Sequence, residues 1–276
     1  MKKLNLLLGI LIGLTILSCS SDDNDETDEQ TQLIRVEQRR FDNGILNEKI
    51  IMDYSNQKPE LWSFYDDSDQ LTYTTEWNYS SNGSLSSIKG YLPDGNLDYE
   101  LIINYDSSDR IIQTTRSEEN NTDTTTTSFI HNSNNTITST TNSNGNNSTK
   151  TFEINNNGII DKEIVDGNVT VSVQYDNLKP ISKTSYSTTY NYTYLGNGTS
   201  PFTFQSVFGT NPINVVLFQN SLADSSDSLT TELITEITSD SSTKEYLYTL
   251  NEDNFPLTRK DYYNGELEDE IDYTYE

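Results

Sequence analysis

The chain has 276 residues, of which 43 are Asp or Glu and 17 are Lys or Arg, giving a formal charge of -26. A field of that sign repels phosphate backbones and anionic headgroups, which excludes nucleic acid and direct headgroup binding. One His and one Cys cannot build a zinc site, no Asp-x-Asp-x-Asp-Gly calcium loop occurs, and neither metal nor cofactor is assigned.

The first element in chain order is a signal over residues 1–18. Lys2 and Lys3 form a basic start, and Leu4 to Leu17 an apolar run shorter than the roughly 20 residues that a membrane-spanning helix needs. The run ends in Leu17, Ser18, Cys19, with no Ala-x-Ala-like cleavage site after it. This triplet resembles the lipobox at which bacterial lipoproteins are cleaved and acylated. The resemblance implies that Cys19 carries palmitate-type chains, that the membrane is a partner through this lipid anchor only, and that the outer membrane is the location. Residues 19–32 then form an acidic tether, too polar to bury surface and therefore expected to be disordered. Its run Ser21, Asp22, Asp23, Asn24, Asp25 resembles the export signal of Bacteroidota-type surface lipoproteins, which implies a domain facing the cell exterior.

From Leu33 to Glu276 the pattern is that of an all-β domain. A hydrophobic content of 32% is low, but 18 Tyr and 9 Phe with abundant Thr fit half-buried pleated surfaces. Leu97, Tyr99, Leu101, Ile103 and Tyr105 alternate with Asp98, Glu100 and Asn104, the period of an antiparallel strand with one solvated face. Val169 to Tyr175, Tyr186 to Tyr194 and Leu267 to Tyr275 repeat it. Between strands a unit recurs: an aromatic, often Asp next, a Gly, Asp or Asn four positions on, then Leu or Ile. Tyr65, Tyr79, Tyr91 and Tyr105 each begin one, at spacings of 14, 12 and 14 residues, one strand plus one turn per unit. An Asp after the aromatic is placed to accept its own backbone N–H groups, and the fourth position suits a left-handed residue.

Tyr105, Asp106, Ser107, Ser108, Asp109, Arg110, Ile111 resembles the Tyr-Asp unit of YD-repeat (RHS-like) proteins, with weaker copies over 41–111 and 248–267. Tyr175 to Pro180 and Leu250 to Pro256 are similar to segments of Bacteroidota-type lipoproteins built from such repeats. The resemblance implies a long antiparallel meander of repeat hairpins, curled into an elongated sheet or a partly closed barrel. Residues 117–150, almost entirely Asn, Thr and Ser, read as eroded strands with mobile turns, the alternative being disorder. Leu229, Leu233, Ile234 and Ile237 have helical spacing, but the Thr-rich context favours a strand. Asp123-Thr124-Thr125 and Asp227-Ser228-Leu229 resemble Bacteroidota-type O-glycosylation acceptors, which implies Thr124 and Ser228 as modified residues.

Little in the sequence supports catalysis. His131 sits among Asn residues, where a solvated imidazole is expected rather than a base, and with 43 acids a close carboxylate pair arises by number alone. Binding has better candidates. Trp62 and Phe64 alternate on one strand, and Tyr73, Trp77 and Tyr79 on the next, so each set shares a face. Those faces form either the core or an aromatic platform for a glycan or an extended surface protein, and burial of the two Trp separates the readings. The function expected is thus a non-enzymatic binding module on a surface lipoprotein, ahead of a carboxylate-based glycan hydrolase or a structural shell subunit. A transmembrane barrel is disfavoured, because few strands keep an apolar face about 25 Å tall.

Overall fold

The computed structural model describes residues 31–119, 121–200, 207–208, 211–225 and 230–276. The signal, Cys19 and the acidic run from Ser21 to Asp25 lie outside the described residues. The strands are β1 (Leu33–Asp42), β2 (Ile45–Ser55), β3 (Lys58–Asp66), β4 (Leu71–Tyr79), β5 (Leu85–Tyr91), β6 (Leu97–Tyr105), β7 (Ile111–Glu118), β8 (Asn121–His131) and β9 (Thr136–Ser143). They continue as β10 (Asn146–Ile154), β11 (Ile160–Val165), β12 (Asn168–Asp176), β13 (Lys179–Ser185), β14 (Thr188–Thr199), β15 (Glu232–Thr238), β16 (Thr243–Leu250), β17 (Pro256–Tyr263) and β18 (Glu266–Tyr275).

Each strand pairs antiparallel with its successor, and β18 pairs back onto β1 from Leu33↔Tyr275 to Arg40↔Asp269. The meander therefore closes completely into an 18-stranded up-and-down barrel. Reciprocal backbone hydrogen bonds of 3.0 Å between Gln32 and Glu276 extend the seam. Among the described residues closure leaves no edge strand with unpaired N–H and C=O groups, which an open sheet of this length would present to solvent.

The turns are built as their residues dictate. Asp66 Oδ1 accepts the N–H groups of Ser68 and Gln70, and Asp106 Oδ1 those of Ser108 and Arg110. Asn155 and Asn251 repeat the geometry with the residues two and four positions on. Asp69 and Asp109 stand where such a unit expects Gly, and they adopt left-handed φ of +63° and +56°. Asn and Asp tolerate that region because their short side chains bond locally.

A tyrosine near the end of each of β4, β6, β16 and β18 has a second role, as a clasp to a carbonyl of the preceding strand. Tyr79 Oη donates to Pro59 O, Tyr105 to Leu85 O, Tyr248 to Ile234 O and Tyr275 to Pro256 O, at 2.7 to 2.9 Å. His131 fills the same place in β8, with Nε2 2.9 Å from Ile111 O. It is half-buried in a clasp, not a solvated imidazole as its Asn-rich surroundings suggested.

The two faces of the wall differ sharply. Val36, Ile50, Ile88, Ile103, Val171 and Ile271 point inward, each no more than 5% exposed. The outward positions carry ion pairs: Arg35 with Asp53 and Arg39 with Asp272 at 2.6 Å, Lys162 with Glu153 and Lys260 with Glu270 at 2.6 Å, and Lys89 with Glu100 at 3.5 Å. A barrel spanning a bilayer has an apolar belt outside; here ion pairs share the outer wall with exposed Ile102, Ile112, Ile130 and Leu247.

The connection from β14 to β15 holds a helix, α1 (Pro212–Gln219), and a single helical turn, α2 (Leu222–Ser225). Asn211 caps α1 by accepting the Ile213 N–H, Pro212 supplies a preset φ, and Asn220 ends the helix at φ +50°. Val215, Val216, Leu217 and Leu222 are fully buried in one cluster with the inward residues Leu85, Ile111, Phe152 and Ile160. The connection thus enters the barrel and fills it at the rim where even-numbered strands end. Each of these aliphatic side chains contributes about 1.5–3 kcal/mol by leaving water.

Segment 117–150 forms most of β7 to β10, so the strand reading of this Asn/Thr/Ser run holds. Its inward hydroxyls pair across strands, Thr127 with Thr141 at 2.9 Å and Thr125 with Ser143 at 3.2 Å. Leu233, Ile234 and Ile237 lie in strand β15, as their Thr-rich context indicated, while Leu229 lies outside the described residues. Tyr186, in contrast, is not part of the alternation of β14: it sits in the preceding turn at φ +53° and is 80% exposed.

Candidate functional site

The aromatics singled out from the sequence line the inside of the wall. Trp62 and Trp77 pack with ring centroids 4.9 Å apart, and Trp77 is 9% exposed within the main core. Phe64 packs against the second core cluster and meets Tyr73 edge-on at 6.2 Å. Tyr73 donates to Asp98 at 2.9 Å and stacks on Tyr99 at 6.3 Å, both rings crossing over Gly90, where a side chain would collide with them. Tyr79 is spent in its clasp to Pro59. The five share a lumenal face as their alternation required, but Trp77 belongs to the core, which corrects the open-platform reading for that residue. Trp62 Nε1, Trp77 Nε1 and Thr75 Oγ1 are buried with no hydrogen-bond partner among the described residues. Thr124 lies exposed on β8, accessible to modification, while Ser228 and Cys19 fall outside the described residues.

The inner end of the plug is held by a polar network. Asn220 Oδ1 accepts Ser139 Oγ at 2.7 Å, its amide donates to Thr141 at 3.2 Å, and Lys150 donates to its carbonyl at 2.6 Å. Glu163, 7% exposed, accepts both Lys150 Nζ at 3.1 Å and the Leu222 N–H at 2.9 Å. A buried carboxylate is tolerable there because it has an ammonium partner and a backbone donor.

At the opposite rim, where odd-numbered strands end, a cup of about 400 Å³ is floored by Ala223 of α2. Its wall comes from β13 to β17: Lys183 and Ser185, Tyr190, Ile237, Ser242 with Lys244 and Tyr246, and Tyr263. Strand pairing brings these together, since Lys183 faces Tyr190 and Lys244 faces Tyr263 in register. Lys183 donates to Ala223 O at 2.8 Å and lies 5.8 Å from the Tyr190 ring, tying wall to floor. Lys244 lies 5.7 Å from the Tyr246 ring and 3.2 Å from Glu268.

Tyr246 is braced from below. Arg259 lies 5.4 Å from its ring and grips Asp261 through two bonds of 2.7 and 2.9 Å. Burial pushes the Asp261 carboxyl above its ordinary value, and Arg259 opposes that shift. Such a cavity, with aromatic walls and a few convergent polar groups, falls in the size range of small-ligand sites, about 300–1,000 Å³. Among the described residues no carboxylate lines it.

No family model matches the chain, and no curated protein matches it. Among solved structures it is similar to a porin-like protein from Bacteroides uniformis ATCC 8492, 11% identical, TM-score 0.29, over 88% of this chain and 98% of that one. It is also similar to a Tc holotoxin pore from Photorhabdus luminescens, 8% identical, TM-score 0.25, over 80% of this chain and 14% of that one. Similarity this distant carries no argument about function.

Sequence reasoning did not single out Lys183, Lys244, Tyr190, Tyr246 and Tyr263 as a group. They are spread over about 80 positions and converge only because five successive strands end at one rim. The signal available was the alternation of Tyr190, Tyr192 and Tyr194, which marks a face without saying what it faces.

Proposed function

We propose that this chain is a surface lipoprotein held by an acylated Cys19, and that its plugged barrel is a non-enzymatic binding module whose ligand seat is the rim cup. The observation that carries the proposal is the cup itself: three tyrosine rings, two lysines and two serines around about 400 Å³, closed below by the plug. Flat aromatic faces suit the apolar faces of sugar rings, and the hydroxyl and ammonium groups suit their oxygens. The charged outer wall supports a domain that stands in water beside the membrane, with lipid at Cys19 as its only attachment.

Two experiments test this. The mature chain carrying Cys19→Ser is screened on a glycan array, and hits are titrated against Tyr246→Ala and Tyr190→Ala. Binding lost in both variants at unchanged melting temperature supports the cup, while retained binding places the ligand elsewhere. Labelled fatty acid is expected in the parent chain and not in Cys19→Ala; equal labelling of both would overturn the anchor.

A further inference from the structure

We infer that the outward face of β6 to β10 is a self-association surface, on which a second copy of this chain docks by the same face about a two-fold axis. The first ground is the absence of charge there. Strand register sets Ile102, Thr115, Thr126, Asn142 and Asn147 side by side in one row across the wall. Asn104, Gln113, Ser128, Thr140 and Thr149 form the next row, and Ile130, Thr138 and Thr151 a third. The rows point outward because the residues that alternate with them, Ile103, Thr114 and Thr127, are buried. Among the described residues this face holds no Asp, Glu, Lys or Arg, in a chain of which 22% is charged. The charged side chains of the same strands turn inward, as Lys150 does to Glu163 and Arg116 over the Tyr99 ring, or frame the face, as Glu100 does with Lys89 and Glu153 with Lys162.

The second ground is that this face sheds water at low cost. Its amides bond laterally along the rows, Asn104 to Gln113 at 3.3 Å and Asn142 to Asn147 at 2.6 Å, so fewer polar groups lose a partner when the face is covered. Ile102 is 40% and Ile130 62% exposed, apolar surface that gains by leaving water. Depletion of charge is what sets the buried centre of an interface apart from the rest of a protein surface.

The third ground identifies the partner. With a net charge of -26, a basic partner is drawn to the acidic remainder of the wall and not to this sector. An acidic partner is repelled except where both surfaces are uncharged. A second copy turned by a two-fold axis meets that condition, since the face then meets itself and no like charges oppose. Five strands about 4.8 Å apart and three rows about 6.7 Å apart cover roughly 500 Å² per copy, less than the 800 Å² or so of a standard interface, which places the pair among weak, reversible ones.

The test is analytical ultracentrifugation of the mature Cys19→Ser chain from about 10 to 500 μM, at low and high salt. A reversible monomer–dimer equilibrium is expected. It should strengthen with salt, because screening removes the repulsion between two acidic bodies and no ion pair holds them together. Thr140→Glu, in the middle row, is expected to weaken the dimer by about tenfold or more, since each copy then meets the other's new carboxylate. Thr126→Glu should repeat that loss, and Leu247→Glu, which adds the same charge at an exposed site on β16, should leave the dimer unchanged. Circular dichroism melts report whether each variant is folded. A parent chain that stays monomeric throughout the range overturns the inference without any variant. A dimer that persists in folded Thr140→Glu and Thr126→Glu, that weakens equally in Leu247→Glu, or that dissociates as salt rises, overturns it too. Glycan-array hits from a monomeric parent that are lost in Thr140→Glu would overturn it by assigning the face to a neutral glycan.

Discussion

Removing the side chain of Asn214 tests the central feature of the fold, the plug. Asn214 is fully buried on α1, and its Oδ1 accepts the Ile111 N–H at 2.9 Å while its amide donates to Asp109 O at 2.8 Å and Phe208 O at 3.2 Å. It stitches the plug to the turn between β6 and β7. Asn214→Ala leaves the Ile111 N–H buried with no acceptor, which costs about 1–3 kcal/mol, and strips donors from two carbonyls that tolerate the loss better. Adding the small void left by the amide, the expected destabilisation is about 3 kcal/mol, or roughly 6–12 °C in melting temperature for a domain of this size. Asn214→Asp keeps the acceptor but sets a negative charge against two carbonyls, so it should be at least as harmful near neutral pH. Protonation of that carboxyl restores a donor, so the deficit should shrink as the pH falls. Denaturant and thermal unfolding followed by tryptophan fluorescence provide the measurement. A loss for Asn214→Ala below about 0.5 kcal/mol, the range of surface substitutions, would mean that the plug is not docked on the β6–β7 turn.

Three other outcomes are expected. Gly90→Ala drives a methyl into Tyr73 Oη and Tyr99 Cε1, so the stacked pair must part; a cost of about 1–3 kcal/mol is expected in thermal melts, and a neutral result would refute the stack. Trp77→Ala should cost about 3–5 kcal/mol as a core truncation, but Trp77→Phe far less, because the indole Nε1 has no partner to lose; equal costs would show that the N–H is bonded. The Asp106 carboxyl is held down at about 2, first by the side-chain hydrogen bond from Arg110, which burial opposes, and with further help from the backbone N–H groups of Arg110 and Ser108. A depressed value means that its contribution is present above the ordinary carboxylate range near 4 and is lost as the pH falls from there toward 2, and the exposed setting keeps it small. Carboxyl NMR titration should show this low midpoint, rising in Arg110→Ala; a midpoint near 4 in the parent would remove the clamp.

The sequence made the wall legible because its signals are local. Alternation at Leu97 to Ile103 sets which side chains share a face, and Asp106 and Asp109 build their turn from groups within four residues of each other. The plug was harder to see. Asn211 and Pro212 mark a helix start and Asn220 an end, but the apolar run Ile213, Val215, Val216, Leu217, Phe218 between them has no polar face to give a period. A helix surrounded by barrel on all sides needs none. His131 misled for a related reason, since its Asn neighbours describe the turn and not the Ile111 carbonyl it reaches from 20 positions away.

By itself, then, the sequence determined an all-β antiparallel meander, its turn chemistry, and which side chains share a face of a strand, because each of these depends on residues close in the chain. The tertiary structure alone decided that β18 returns to β1, that the apolar face lies inside, that the β14–β15 connection fills the lumen, and that Lys183, Lys244 and three tyrosines share one cup. Those outcomes depend on strand number, tilt and accumulated twist over 18 strands, which no local pattern encodes.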